Sequence, residues 1–138
     1  MYIKDLEQCD FLPIKEDFIL AVGWLDKNYD FNKGSVSIEF YKKLKELCNN
    51  PWQPFVSAGM HKCNICQFDG PVFNSNIYLP ENDKIYVSPV AILHYINCHH
   101  YSPPNEYVNA VLNCPDISSM EYKKKLLSNG GGVLLKGR

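Results

Sequence analysis

The sequence predicts an α+β domain, a small antiparallel sheet with three or four helices. Three observations carry this. Short apolar runs of strand length (residues 18–24, 76–79 and 84–87) stand apart from segments with helical period and serine caps. The chain is 46% hydrophobic and 21% charged, ordinary globular usage, which excludes a disordered protein. At 138 residues it is long enough for one core that buries roughly two thirds of the unfolded surface without disulfides. The expected organisation is one domain over residues 1–128 and a flexible basic tail over 129–138.

The elements follow in order. Phe18 to Trp24 reads as a buried strand, and Gly23 marks a bulge or a close approach. Ser35 is placed to cap a helix running to about Cys48, with Phe40, Tyr41, Leu44, Leu47 and Cys48 on one face. Asn49, Asn50 and Pro51 end it, and Trp52 is expected to pack on the core. Phe55 to Ala58 reads as a short strand, and Asp69-Gly70-Pro71 as a turn. Asn76–Leu79 and Lys84–Val87 flank Pro80-Glu81-Asn82-Asp83 as a hairpin. Ser88-Pro89 is read as the start of a helix that ends near His99 or His100, stopped by Pro103-Pro104. Glu106–Asn113 is a third helix. A fourth covers about Ser119 to Leu127 behind a Ser118-Ser119-Met120-Glu121 capping box.

Charge excludes several function classes. The chain carries 14 basic and 15 acidic side chains, a net charge of −1, so nothing attracts it globally to nucleic acid or anionic lipid. Residues 51–120 are net −3 and residues 121–138 net +4. No apolar run approaches the roughly 20 residues of a membrane span. Met1 to Asp10 holds Asp5, Glu7 and Asp10 and lacks the pattern of a signal peptide, so a cytoplasmic protein is expected.

In a reducing compartment the six cysteines are not read as three disulfides. Only Cys63 and Cys66 are closely spaced. Cys9, Cys48, Cys98 and Cys114 read as buried or structural thiols, with Cys98 held in reserve because histidines surround it. Cys63-x-x-Cys66 is a knuckle spacing that aims two thiolates at one point, as tetrahedral zinc requires. His94 and His99, five apart at the end of a predicted helix, match the usual gap between zinc histidines. The expected site is therefore structural Zn²⁺ held by Cys63, Cys66, His94 and His99, with His61 and Cys98 as rival ligands. A thioredoxin-type redox pair is the weakest alternative, because no β-α-β order surrounds the cysteines.

Gly59-Met60-His61-Lys62-Cys63-Asn64-Ile65-Cys66-Gln67-Phe68 and the later His94-Tyr95-Ile96, His99 and Tyr101-Ser102-Pro103-Pro104 carry a resemblance. The chain resembles a family of small uncharacterised bacterial proteins that pair G-x-H-x-C-x-x-C-x-F with H-Y-I-x-x-H-x-Y-x-P-P. Gly23-Trp24-Leu25, Pro51-Trp52-Gln53-Pro54 and Ser119-x-x-Tyr122 extend it over nearly the whole chain. The resemblance implies a bacterial cytosolic protein with Cys63, Cys66, His94 and His99 as shared metal-type positions; the family has no established activity, so the function stays open.

Three function classes are weighed. A zinc-stabilised protein-binding module, for instance an immunity or antitoxin-type protein, comes first, because no catalytic group stands out. A metal-dependent hydrolase or nuclease, with His61 or His100 as base, is the alternative. A nucleic-acid reader is last, given the acidic middle section. Four protein ligands with no bound water, and a largest cavity that does not open onto the metal, are expected of the first class.

Overall fold

In the computed structural model, residues 2–54, 61–66, 68 and 70–136 are described. Three strands form the main sheet: β1 (Ile19–Ala21), β4 (Asn76–Glu81) and β5 (Lys84–Pro89), in the order β1-β5-β4. A two-stranded ribbon, β2 (His61–Lys62) and β3 (Val72–Phe73), stands apart from it. Five helices complete the described chain: α1 (Ile38–Asn49), α2 (Ile92–His99), α3 (Asn105–Leu112), α4 (Met120–Ser128) and α5 (Gly132–Lys136). The class is α+β, as the sequence predicts.

The hairpin is the clearest case of sequence dictating structure. Asn82 and Asp83 both have positive φ (51° and 62°), the pair of left-handed residues that a two-residue primed turn needs. Asn and Asp tolerate that region better than most residues. The turn is tighter than the four-residue link expected, so Pro80 and Glu81 belong to β4. Pro80 pairs opposite Ile85 on an edge strand. Counting back from Glu81↔Lys84, that pair makes no ladder hydrogen bonds, and the missing N–H faces outward.

β4 and β5 are antiparallel, but β1 runs parallel to β5. The expected antiparallel sheet is therefore mixed. More than sixty residues, α1 included, separate β1 from β5, and a parallel neighbour requires such a crossover. The outer edge of β1 is bonded by the N-terminal segment, through Leu6 N–H to the Ala21 carbonyl (2.8 Å) and Cys9 N–H to the Ile19 carbonyl (2.8 Å). On the far side, the Tyr122 hydroxyl donates to the Tyr78 carbonyl (2.6 Å) and the Gln53 amide to the Asn76 carbonyl (2.9 Å).

Several helix starts move. Ser37, not Ser35, caps α1, its hydroxyl accepting from Phe40 N–H at 3.1 Å. Phe40, Leu44, Leu47 and Cys48 are buried as the 3.6-residue period requires, with Tyr41 half-buried. Ser88 and Pro89 do not open α2. They end β5, where Ser88 is wholly buried against the Tyr107 hydroxyl (2.7 Å). A buried partner for the serine outweighs its capping preference. Ser119 caps α4, but its partner is Tyr122 N–H, so the expected Ser-x-x-Glu box is out of register by one.

The segment expected as a flexible tail is largely packed. Gly130 adopts φ +93° after α4, α5 follows, and Leu134 is buried. Residues 137 and 138 lie outside the described set, as does the strand expected at 55–58. Trp52 packs edge-on to Tyr78 and Tyr122, as expected (5.8 and 6.4 Å between centroids).

Gly23 shows why a glycine stands in the apolar run. Its φ is +82°, its N–H donates to Asp5 Oδ1 at 3.0 Å, and a Cβ there would meet Ile92 Cδ1 at 3.0 Å. The close approach lets α2 lie against the strand exit. Gly23→Ala is expected to cost about 1–3 kcal/mol through backbone strain and displacement of Ile92. Urea unfolding measures it, and an unchanged midpoint would contradict this account of the contact.

Candidate metal centre

Two short elements bring the site together. The β2–β3 ribbon pairs His61 with Phe73 and Lys62 with Val72, and Cys63 N–H donates to the Pro71 carbonyl at 3.0 Å. The chain turns back through Asn64 and Ile65, so Cys63 and Cys66 point the same way. Asn64 fastens this turn to the 26–28 loop: its amide donates to Asp26 Oδ2 (2.9 Å) and its carbonyl accepts from Lys27 N–H (3.0 Å). Opposite stands the last turn and a half of α2. His100 closes that helix in the left-handed region (φ 58°), its N–H bonded to the Tyr95 carbonyl.

Cys63, Cys66, His94 and His99 converge there, their ligand atoms all within 4.8 Å of one another. Cys63 Sγ lies 3.7 Å from Cys66 Sγ and 3.5 Å from His99 Nε2. Cys66 Sγ lies 3.3 Å from His94 Nε2 and 3.4 Å from His99 Nε2. A tetrahedron built with zinc's bond lengths to sulfur and nitrogen has edges of about 3.3–3.8 Å. Four measured edges meet that test, so the cluster could hold a zinc-sized ion.

Protonation favours the same reading. Burial lowers the His94 pKa, with His99 adding to the effect, and burial and then His100 lower that of His99. Both rings are neutral at pH 7, the form that coordinates. Partial burial raises the Cys66 thiol, followed by the neighbouring Cys63 and Cys98 sulfurs. The free thiol therefore keeps its proton, and metal uptake has to release it.

The rivals fall elsewhere. His61 is buried, and its Nε2 meets the Tyr95 hydroxyl while its ring stands edge-on to Trp24 at 5.3 Å. Burial pushes its pKa down to about 4. It braces the site from behind, a role that sequence alone did not suggest. The signal was its position two residues before Cys63, on a two-residue strand whose side chains alternate. Cys98 is exposed and outside the four-atom cluster, contrary to the expectation of a buried or structural thiol. Cys9, Cys48 and Cys114 are buried and free, as expected.

A cavity of about 740 Å³ is lined by Lys27, Lys33, Ile65, Cys98, His99 and His100, among others. The cavity reaches the metal-type site at one residue, His99. The 26–34 loop folds over the end of α2, with Gly34 N–H bonded to the His100 carbonyl (2.9 Å).

The chain belongs to the family described as Domain of unknown function (DUF7919), whose model matches residues 1–112 and so includes all four clustered side chains. The expectation of an uncharacterised family is met. No curated protein and no solved structure matches the chain.

Substitution separates the clustered residues from their surroundings. Cys63→Ser and His94→Ala are expected to abolish metal retention and lower Tm by about 10 °C or more. His100→Ala should leave both unchanged. His61→Phe should keep the metal, since its nitrogen serves Tyr95. Its effect has a pH signature. The folded pKa lies below the unfolded value, so the unfolded chain binds the extra proton, and stability is lost as pH falls from about 6.5 towards about 4. Metal-loaded His61→Phe should show a shallower fall over that window. Elemental analysis and melts at stepped pH read both effects, and metal loss in His61→Phe would make His61 a ligand.

Proposed function

We propose that this DUF7919 member is a zinc-stabilised protein-binding module of the bacterial cytoplasm, in which zinc on Cys63, Cys66, His94 and His99 is structural. One observation carries the reading: four protein ligand atoms converge, with four of their separations at tetrahedral-edge length, and four such ligands would leave no position for an activated water. The ion supplies a cross-link between the ribbon and α2, segments about thirty residues apart in sequence. Beside it, Phe68 and Val72 expose 82% and 52% of their surface, an apolar pair suited to a partner's face. An immunity or antitoxin-type role, blocking a partner by surface complementarity, fits such a domain.

The second reading, a metal-dependent hydrolase or nuclease, is favoured by one feature. His99 and His100 share the 740 Å³ cavity, so a base could stand beside the ion's side of α2. It ranks second because a catalytic zinc keeps an open position. His61, the other base considered, already has its ring nitrogen on the Tyr95 hydroxyl.

X-ray absorption on protein purified without added metal distinguishes the two. The expected result is one zinc per chain, bound by two sulfurs and two nitrogens. A shell with one protein ligand replaced by oxygen would put the hydrolase first. For the binding face, Phe68→Asp should abolish capture of a native partner while keeping zinc and Tm. Capture that survives Phe68→Asp would move the interface elsewhere.

A further inference from the structure

Cys63 and Cys66 are chemically equivalent as ligands but not in access. Cys63 is fully buried, whereas Cys66 is partly exposed. Cys66 follows Ile65, which lines the open cavity at the end of α2. The two sulfurs stand 3.7 Å apart, one short movement from bonding distance. A third thiol, Cys98, is exposed on α2 and lines the same cavity, but it is not within the cluster.

We infer that the metal centre is an oxidation site for a peroxide, with Cys66 as the attacked sulfur and Cys63 as the sulfur that resolves it. The inference rests on the zinc reading above. In the first step the Cys66 thiolate attacks one peroxide oxygen. An S–O bond forms, the O–O bond breaks, and hydroxide leaves, so sulfur loses two electrons and peroxide gains them. In the second step the Cys63 thiolate attacks the Cys66 sulfenic sulfur. The S–S bond forms and a second hydroxide leaves; two protons from solvent complete two waters. His94 and His99 then remain as the only ligands, and two imidazoles hold a divalent ion far more weakly than four ligands do. A dithiol reductant reverses the chemistry by exchange.

Burial decides the order of attack. A thiolate reacts in proportion to its access as well as its charge, and Cys63 offers none of its surface to a solute arriving from water. Cys98 is more accessible still, but it is not one of the four clustered residues, so its oxidation removes no ligand.

The test treats zinc-loaded protein, and the Cys98→Ser variant, with hydrogen peroxide. A chromogenic chelator follows zinc and peptide mapping follows the thiols. Lys62 and Lys84 bound one tryptic peptide holding Cys63 and Cys66, whereas Cys98 falls in the next. The expected result is one zinc released per Cys63–Cys66 disulfide, seen as a 63–84 peptide two hydrogens lighter. Zinc release from Cys98→Ser should match wild type within about twofold, and dithiothreitol with added zinc should restore the starting state. Zinc retained while Cys98 alone oxidises would overturn the inference, and a Cys66–Cys98 cross-link would overturn the role given to Cys63. Protein that never held zinc would instead defeat the underlying reading, and the peptide map would still report which thiols pair.

Discussion

Strand β5 is hydrogen-bonded on both sides, and that double pairing sets the place of the helix that carries the site's histidines. Ile85 N–H donates to the Phe18 carbonyl on one side, and β4 runs antiparallel on the other. The Val87 carbonyl takes two donors, Val22 N–H and the Trp24 indole, both at 3.0 Å. With its backbone held this firmly, β5 delivers the chain into α2 at a fixed place and angle. His94 and His99 inherit their positions from that. The ribbon carrying the cysteines is by contrast only two residues wide per strand, and short ribbons are marginal alone. The site thus joins a rigid partner to a weak one, and an ion there would stabilise the weak one most.

A second framework reinforces the first. Six of the nine tyrosines are buried, and four of their hydroxyls close bonds between distant segments: Tyr101 to Asp5, Tyr107 to Ser88, Tyr122 to the Tyr78 carbonyl, and Tyr95 to His61. A buried hydroxyl without a partner is costly, so each ring fixes a direction as well as filling volume. Among the described residues no buried side-chain nitrogen or oxygen lacks a partner. Asp5 shows the reach of this arrangement. One carboxylate binds Gly23 N–H and the Tyr101 hydroxyl, tying the N-terminus to the strand exit and to the segment after α2.

The site was legible in the sequence because its rule is short-ranged. Two cysteines three apart and two histidines five apart each need only local geometry to converge, and both pairs sit where spacing put them. What could not be read were positions fixed by distant partners. Ser88 looked like a cap because serine before proline usually is one, yet Tyr107, nineteen residues on, claims its hydroxyl. The parallel direction of β1 depends on its pairing with β5, more than sixty residues on, which no window around residue 20 contains. The cavity beside His99 arises from the 26–34 loop, whose composition signals turns but not where they fold. Leu134 lies in a segment that composition marks as frayed, yet it is buried and belongs to the fifth helix.

The two borders of the main sheet have a consequence for the protein's behaviour in a crowded solution. Bare strand borders can seed ordered stacking of chains, because each unpaired amide and carbonyl row is a template for the next molecule. Here the N-terminal segment occupies one border, and on the other Pro80 lacks a donor while Tyr122 and Gln53 occupy two carbonyls. Neither border offers the regular row on which a fibril could grow. For the same reason a partner cannot be recruited as an added strand there. Recognition has to be read from side chains, and specificity then resides in surface chemistry rather than in the backbone every protein shares.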